Sequence, residues 1–296
     1  MDKRVRILLI GKNSFVGKNY IEYSKHRDIQ EVDSFSLIPE KFDFSQYDVI
    51  IHLAAIVHQS KKVSLIEYLR VNTELPIRIA TKAKHDGVKQ FVFLSTTKVY
   101  GDNPPPLGYW DEVSECIPTD GYGESKLRAE RGLLELADNS FVVSIIRTPL
   151  VYGVGVKANM LSLIKLVKRL PVLPFGRIEA LRSLTFVGNL AAYIDRVIEL
   201  RSNGIFIAQD PEPVTVETLV KSIAKALNRK ALIFHPGRLF ISILRLIFPH
   251  YHARLYGSSV VSNSRTLSAL HFTPPFTTDE GIKIMVKHFL TQNGTR

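Results

Sequence analysis

The 296-residue chain is long enough for one large or two moderate domains, and 45% apolar with 23% charged residues is the composition of a globular protein. Its single cysteine, Cys116, excludes an internal disulfide and a cysteine-based metal cluster, suits a reducing compartment and reads as a buried or half-buried small residue. The 39 basic against 28 acidic residues give +11, a field that phosphorylated small molecules, an anionic membrane surface or nucleic acid could use; no basic run with interleaved aromatics favours nucleic acid.

The apolar run after Lys3, Arg4 and Arg6 is too short for a signal peptide, so Val5 to Ile10 reads as a first strand. Gly11-Lys12-Asn13-Ser14-Phe15-Val16-Gly17 follows, and Phe15 to Tyr23 has helical periodicity. A strand, a glycine turn and a helix form a cradle for a pyrophosphate, which the unpaired N–H groups and dipole of the helix N-terminus attract. Glu31 to Leu37 reads as the second strand, ending near Ser36. In dinucleotide folds an acid at that end binds the ribose hydroxyl of NAD, while basic neighbours accommodate NADP. With Ser36 there, Asp33 too early and Lys12 in the turn, NADP(H) is favoured over NAD(H); a register in which Asp33 ends the strand reverses the choice.

Tyr47 to Leu53 is a further buried strand, and the small residues Ala54 and Ala55 at its end let a ligand approach. Val63 to Asp86 reads as a helix containing Asn72 and stopped by Gly87, and Phe91 to Leu94 as the next strand. This alternation implies an α/β fold with a doubly wound parallel sheet. Ser95 or Thr96 ends the fourth strand with a hydroxyl, and a proline-rich loop (Pro104, Pro105, Pro106) leads on to Tyr122-Gly123-Glu124-Ser125-Lys126. Tyr122 and Lys126, at i and i+4, share a helix face, so the ammonium is expected to lower the titration of the phenol. A hydroxyl, a phenol and a lysine suit carbonyl–alcohol interconversion beside a hydride carrier.

Phe141 to Ile146 forms the following strand, continued by Arg147 to Gly153, and Leu161 to Leu170 an amphipathic basic helix with a solvated charged face. Short strands at Leu184–Val187 and Ile205–Ala208 flank a helix from Asn189 to Leu200. Beyond Pro213 the chain turns more helical; Leu239 to Phe248 is too short to span a bilayer and reads as a substrate-domain helix, with interfacial membrane contact as the alternative. His52 and His58 read as structural.

Taken together, the glycine turn at 11–17, His52-Leu53-Ala54-Ala55, Asn72, Ser95-Thr96 before Val99-Tyr100-Gly101, the Tyr122/Lys126 pair and Arg147 through Gly153 resemble the extended short-chain dehydrogenase/reductase family, in its nucleotide-sugar epimerase, dehydratase and reductase branch. The resemblance implies a Rossmann domain (1–155 and 184–208) and a smaller substrate domain (156–183 and 209–296). It implies Thr96, Tyr122 and Lys126 as catalytic residues, with cofactor contacts from Gly11 to Gly17 and at Ser36, Asp43 (adenine), Leu53, Ala54, Ala55, Asn72, Tyr122, Lys126 and Pro149. Thr96, Asn159, Arg182 and Arg254 are implied as contacts for a nucleotide-sugar substrate, with no metal. Ser14 replaces the family's middle glycine, Asn189 stands where aspartate is common, and Val154 where proline is frequent. Thr97-Lys98, where dehydratases carry Asp-Glu, argues against dehydration. The segments Val156–Met160 and Pro171–Leu184 look most like bacterial enzymes making UDP-linked N-acetylated deoxyhexoses for surface polysaccharides. The expectation is a cytoplasmic homodimer or monomer acting at C4 of a UDP-hexose, as a 4-keto-sugar reductase or, alternatively, an NAD-dependent 4-epimerase. The rival from another class is a non-catalytic NAD(P)-binding regulator on the same fold.

Overall fold

The computed structural model describes residues 4–57, 63–102, 104–105, 108–176, 178–235, 237, 246 and 258–293. His58, Pro106, Arg254 and, apart from Leu246, the stretch Leu239 to Phe248 lie outside the described residues. Along the chain run β1 (Ile7–Ile10), α1 (Phe15–Tyr23), β2 (Ile29–Val32), β3 (Val49–His52), α2 (Leu65–Leu69), α3 (Leu75–His85), β4 (Gln90–Thr96), α4 (Gly121–Leu134) and β5 (Val142–Thr148). Next come β6 (Leu150–Tyr152), α5 (Ala158–Arg169), β7 (Val172–Leu173), β8 (Leu181–Arg182), β9 (Leu184–Phe186), α6 (Val187–Leu200) and β10 (Gly204–Ile207). The chain closes with β11 (Val214–Thr215), α7 (Val216–Ala226), β12 (Leu232–Ile233), α8 (Ser264–Leu270) and α9 (Thr278–Asn293). Two compact units result: Met1–Pro149 with Gly188–Ala208 and Val261–Thr273, and Leu150–Val187 with Gln209–Val260 and Pro274–Arg296.

In the first unit six parallel strands form one sheet in the order β10-β5-β4-β3-β1-β2. β1 and β3 are buried at every position, because helices cover both faces of a parallel sheet. Leu8, Ile10, Ile50, Phe91, Phe93 and Ile145 pack with Ile79, Ala80 and Ala83 of α3 and Ala129 and Leu133 of α4. Each large apolar side chain buried there contributes roughly 1.5–3 kcal/mol. The chain passes from β1 to β2 on one side and then to β3 on the other, so winding reverses between β1 and β3. Open α/β sheets bind ligands outside the carboxyl ends at such a switch point. Residues 261–273 also pack in this unit: Thr266 Oγ1 accepts the Ile207 N–H at 2.8 Å, and Val261 bridges Trp110.

Two expected elements are corrected. β2 ends at Val32, five residues before the anticipated Leu37, because Asp33 Oδ1 accepts the Phe35 N–H at 3.0 Å and the Ser36 hydroxyl donates to the Asp33 carbonyl at 3.1 Å. That side-chain turn competes with the ladder. The helix expected from Val63 to Asp86 is interrupted by a π-helical turn, Arg70–Glu74, which carries Asn72.

In the second unit β6 pairs parallel with β9, β7 parallel with β12, and β8 antiparallel with β11. The Tyr152 hydroxyl donates to Asp210 Oδ2 at 2.7 Å, while Asp210 Oδ1 accepts the Phe186 N–H at 2.7 Å.

Candidate active site

Gly11 leaves β1 with φ +128°, and a side chain there would put its Cβ 3.2 Å from the Ala54 amide. The turn and the end of β3 are therefore in close contact, with Leu53 and Ala54 both donating their N–H groups to the Ile10 carbonyl. Ser14 caps α1 by accepting the Gly17 N–H at 3.0 Å, and Phe15 and Val16 open the helix half-buried. Lys12 and Asn13 are exposed, and the Asn13 N–H meets Glu31 Oε1 at 3.3 Å.

Asp33 is the first residue beyond β2. This overturns the premise that Ser36 ends the strand; Ser36 is an exposed turn residue. Asp43 is exposed, and its Oδ1 takes the Ser45 N–H (2.9 Å) and hydroxyl (2.6 Å), which hold its carboxyl below the usual range. Asn72 is wholly buried: its amide bonds the Ile56 N–H (2.8 Å), the Ile56 carbonyl (2.9 Å) and Ser125 Oγ (3.1 Å). It thereby ties the segment after Ala55 to α4. Pro149 follows the end of β5.

Thr96 is the last residue of β4 and caps the 3-10 turn Thr97–Tyr100 by accepting the Lys98 N–H at 3.2 Å. Alternation along the strand separates the two candidate hydroxyls: Thr96 is half-buried, whereas Ser95 is buried and bonds Glu130. Helix α4 begins at the Asp120 cap, where Oδ1 accepts the Gly123 N–H at 2.7 Å. A Cβ at Gly123 would stand 2.6 Å from the Lys98 carbonyl oxygen, so glycine is what lets α4 seat against the turn after Thr96. This contact brings Tyr122 to Thr96.

The expected tuning of Tyr122 by Lys126 is not found. Burial, then the charge of Asp120, push the phenol upward, and the hydrogen-bonding neighbour Thr96 opposes them. Lys126 is 2% exposed, its Nζ 4.0 Å from the centroid of the Phe93 ring, and burial pushes the ammonium down to about 7 against the pull of Glu130. Among the described residues it has no hydrogen-bond acceptor. A buried lysine side chain whose ammonium finds no acceptor among the described residues, a capped helix N-terminus and a glycine cradle at the switch point fit a nicotinamide dinucleotide, whose ribose hydroxyls would give Lys126 its acceptors. The fit is to NAD(P), with the end of β2 carrying Asp33.

In the second unit Asn159 is exposed on the first turn of α5, and Arg182 is half-buried in β8, paired with Val214. Arg254 lies outside the described residues. Sequence reasoning missed Glu130, although an acid four residues after Lys126 on the same helix face was a readable signal.

Residues 7–207 match the NAD dependent epimerase/dehydratase family. The chain is 33% identical over 315 aligned positions to a UDP-glucose 4-epimerase of Vibrio cholerae, covering 97% of this chain and 96% of that one. It is 25% identical to the N-acetyl-alpha-D-glucosaminyl-diphospho-ditrans,octacis-undecaprenol 4-epimerase of Escherichia coli O157:H7, covering 77% and 74% of the two chains. Its fold is similar, at a TM-score of 0.78 and 17% identity over 98% and 99% of the two chains, to the UDP-N-acetylglucosamine 4-epimerase from Methanobrevibacter ruminantium M1 in complex with UDP-N-acetylmuramic acid.

Proposed function

The chain belongs to the NAD dependent epimerase/dehydratase family, and from that premise we propose that it catalyses hydride transfer at C4 of a UDP-linked hexose. The observation that carries this reading is the meeting of Thr96, at the end of β4, with Tyr122 on the face of α4 that also bears Lys126. The nicotinamide dinucleotide, when bound, supplies or accepts the hydride. Tyr122 exchanges a proton with the C4 oxygen, and the Thr96 hydroxyl hydrogen-bonds that oxygen. Lys126 holds the ribose and so places the nicotinamide beside the phenol. Lys98 stands where a dehydratase would carry a carboxylate and pairs with Asp102 at 2.9 Å, which disfavours elimination. Arg182 and Asn159 are the proposed contacts for the substrate diphosphate and sugar.

Epimerisation is the first reading. The Vibrio cholerae relative supports it, as does Asp33 directly beyond β2, which suits the ribose hydroxyls of NAD. Reduction of a 4-keto sugar is the second, because the resting neutral phenol is the form that donates a proton to a keto oxygen. One experiment tests both. The nucleotide co-purifying with the protein is identified, and the protein is then incubated with UDP-glucose, UDP-GlcNAc and a UDP-4-keto-6-deoxy-N-acetylhexose. Interconversion without net cofactor change supports the epimerase; stoichiometric loss of reduced cofactor with the keto sugar alone supports the reductase. Turnover unchanged in Tyr122→Phe refutes the proposed site.

A further inference from the structure

Behind the Tyr122 and Lys126 face lies a fully buried charge cluster that the hydride-transfer reading does not use. Glu130 is 1% exposed and Arg147 3% exposed. Arg147 Nη2 donates to Glu130 Oε2 at 2.6 Å, and its Nε contacts both carboxylate oxygens at 3.1 and 3.2 Å. Its Nη1 donates to the Tyr100 hydroxyl at 3.0 Å, and the guanidinium carbon sits 4.9 Å from the Tyr100 ring centroid. The Ser95 hydroxyl donates to Glu130 Oε1. One carboxylate thus joins α4 to β4, through the residue before Thr96, and to β5, through Arg147.

Resting on the C4 hydride-transfer reading, we propose that Glu130 is a positioning residue for the active site: it fixes α4 against the strand that carries Thr96 and holds its carboxylate one helical turn from Lys126 on the same helix face. Glu130 lies one helical turn beyond Lys126 on the same face. It is the acid whose charge opposes the desolvation of Lys126. The other neighbours cannot take this part. His52 on β3 is held neutral by burial, Phe93 and Ser95 on β4 carry no charge, and Tyr122 on α4 is a neutral phenol at rest. Arg147 on β5 is bound both to Glu130 and to the Tyr100 hydroxyl of the 3-10 turn, and neither Arg147 nor Tyr100 is a source of charge acting on Lys126. Three buried groups, Lys126, Glu130 and Arg147, therefore sum to one excess positive charge behind the helix face that bears Tyr122. That excess is what a phenolate or an anionic C4 oxygen requires at the moment it forms.

The test is a titration of Lys126 in the full chain with 13C-labelled lysine side chains, its resonance assigned by its loss in Lys126→Met. In the native protein the midpoint is expected near 7. Glu130→Gln should lower it by about one pH unit or more, the usual effect of removing an opposite charge at this range, and Glu130→Asp should restore it. Should the unpaired guanidinium prevent Glu130→Gln from folding, E130Q/R147Q removes both charges and is expected to show a fall in the same direction, smaller because loss of the guanidinium offsets part of it. The alkaline limb of kcat/KM should follow the Lys126 midpoint, so that E130Q loses about tenfold relative to the native enzyme one pH unit above that midpoint. A Lys126 midpoint in E130Q, or in the double variant, at or above the native one overturns the proposal, as does an alkaline limb that stays in place while the midpoint moves. Failure of the underlying reading is separate: it appears as full turnover in Tyr122→Phe, whatever Glu130 does.

Discussion

Gly123 offers the sharpest test of how the site is assembled. A methyl group at this position meets the Lys98 carbonyl oxygen at 2.6 Å and the Pro118 Cβ at 3.1 Å, so it falls about 0.8 Å short of the 3.4 Å at which ordinary contact begins. The first obstacle is backbone, held by the turn that Thr96 caps, and cannot swing aside as a side chain would. Gly132 in the same helix is the control. Its added Cβ meets the Ile77 Cδ1 atom at 2.5 Å, the mobile end of an isoleucine side chain. Alanine in place of either glycine gains roughly 1 kcal/mol of helix propensity. At Gly132 that gain should roughly cancel the repacking of Ile77. At Gly123 overpacking of about 1–3 kcal/mol opposes it, and the relief is a displacement of α4 away from Thr96. Urea unfolding followed through the fluorescence of Trp110, which is buried in the first unit, measures both variants. Gly123→Ala is expected to be about 1–3 kcal/mol less stable than Gly132→Ala, and to lose on the order of tenfold to a hundredfold in kcat because its neighbour Tyr122 moves. A Gly123→Ala protein as stable as Gly132→Ala and fully active would refute the close seating of α4 as the device that brings Tyr122 to Thr96.

Two further outcomes can be checked directly. Asp33→Ala should weaken binding of NAD by about tenfold while leaving NADP binding unchanged or improved, as read by fluorescence titration with each cofactor; equal effects on both would remove Asp33 from ribose recognition. His52, wholly buried against Phe91 and Phe93 of the neighbouring strand, is pushed down to about 3 by desolvation and by the charge of Lys126. The folded state thus binds its proton less readily than the unfolded chain, so the stability it confers is present above the ordinary histidine value of ~6.5 and is lost as pH falls from there toward 3. His52→Leu should flatten that acid-side loss by up to about 1.4 kcal/mol per pH unit across this window, measured as the difference in urea unfolding between pH 6.5 and pH 4.5. Parallel pH curves for the two proteins would show that His52 does not carry the linkage.

Much of this site was readable because the signals are local. Phe15 to Tyr23 is a helix in the periodicity and in the fold alike, and Tyr122 and Lys126 share a helix face because four residues are one turn apart. The glycine turn between β1 and α1 follows from Gly11 and Gly17 themselves. The end of β2 was not readable in the same way. Val32, Phe35 and Leu37 look like a continuing apolar strand, but the Asp33 side chain closes a turn on Phe35, and Phe35 projects into solvent. That single side-chain hydrogen bond moved the ribose end of the strand from Ser36 to Asp33.

The amino-acid order by itself therefore determined which groups the chain offers for the proposed chemistry: a strand-ending hydroxyl, a phenol, a lysine and a glycine turn between a strand and a helix, each set by spacing within one element. The resemblance already pointed to Thr96 over Ser95; only the tertiary structure gave the physical reason for that choice and decided which way the phenol and the ammonium titrate. Ser95 turns inward to Glu130 while Thr96 is left beside Tyr122; burial and Asp120 raise Tyr122, and Lys126 is lowered over Phe93 with only Glu130 to resist. These outcomes depend on desolvation, which arises only once β3, β4, β5 and α4 pack together and exclude water, and on the charges of Asp120 and Glu130, which act strongly only in that dry setting.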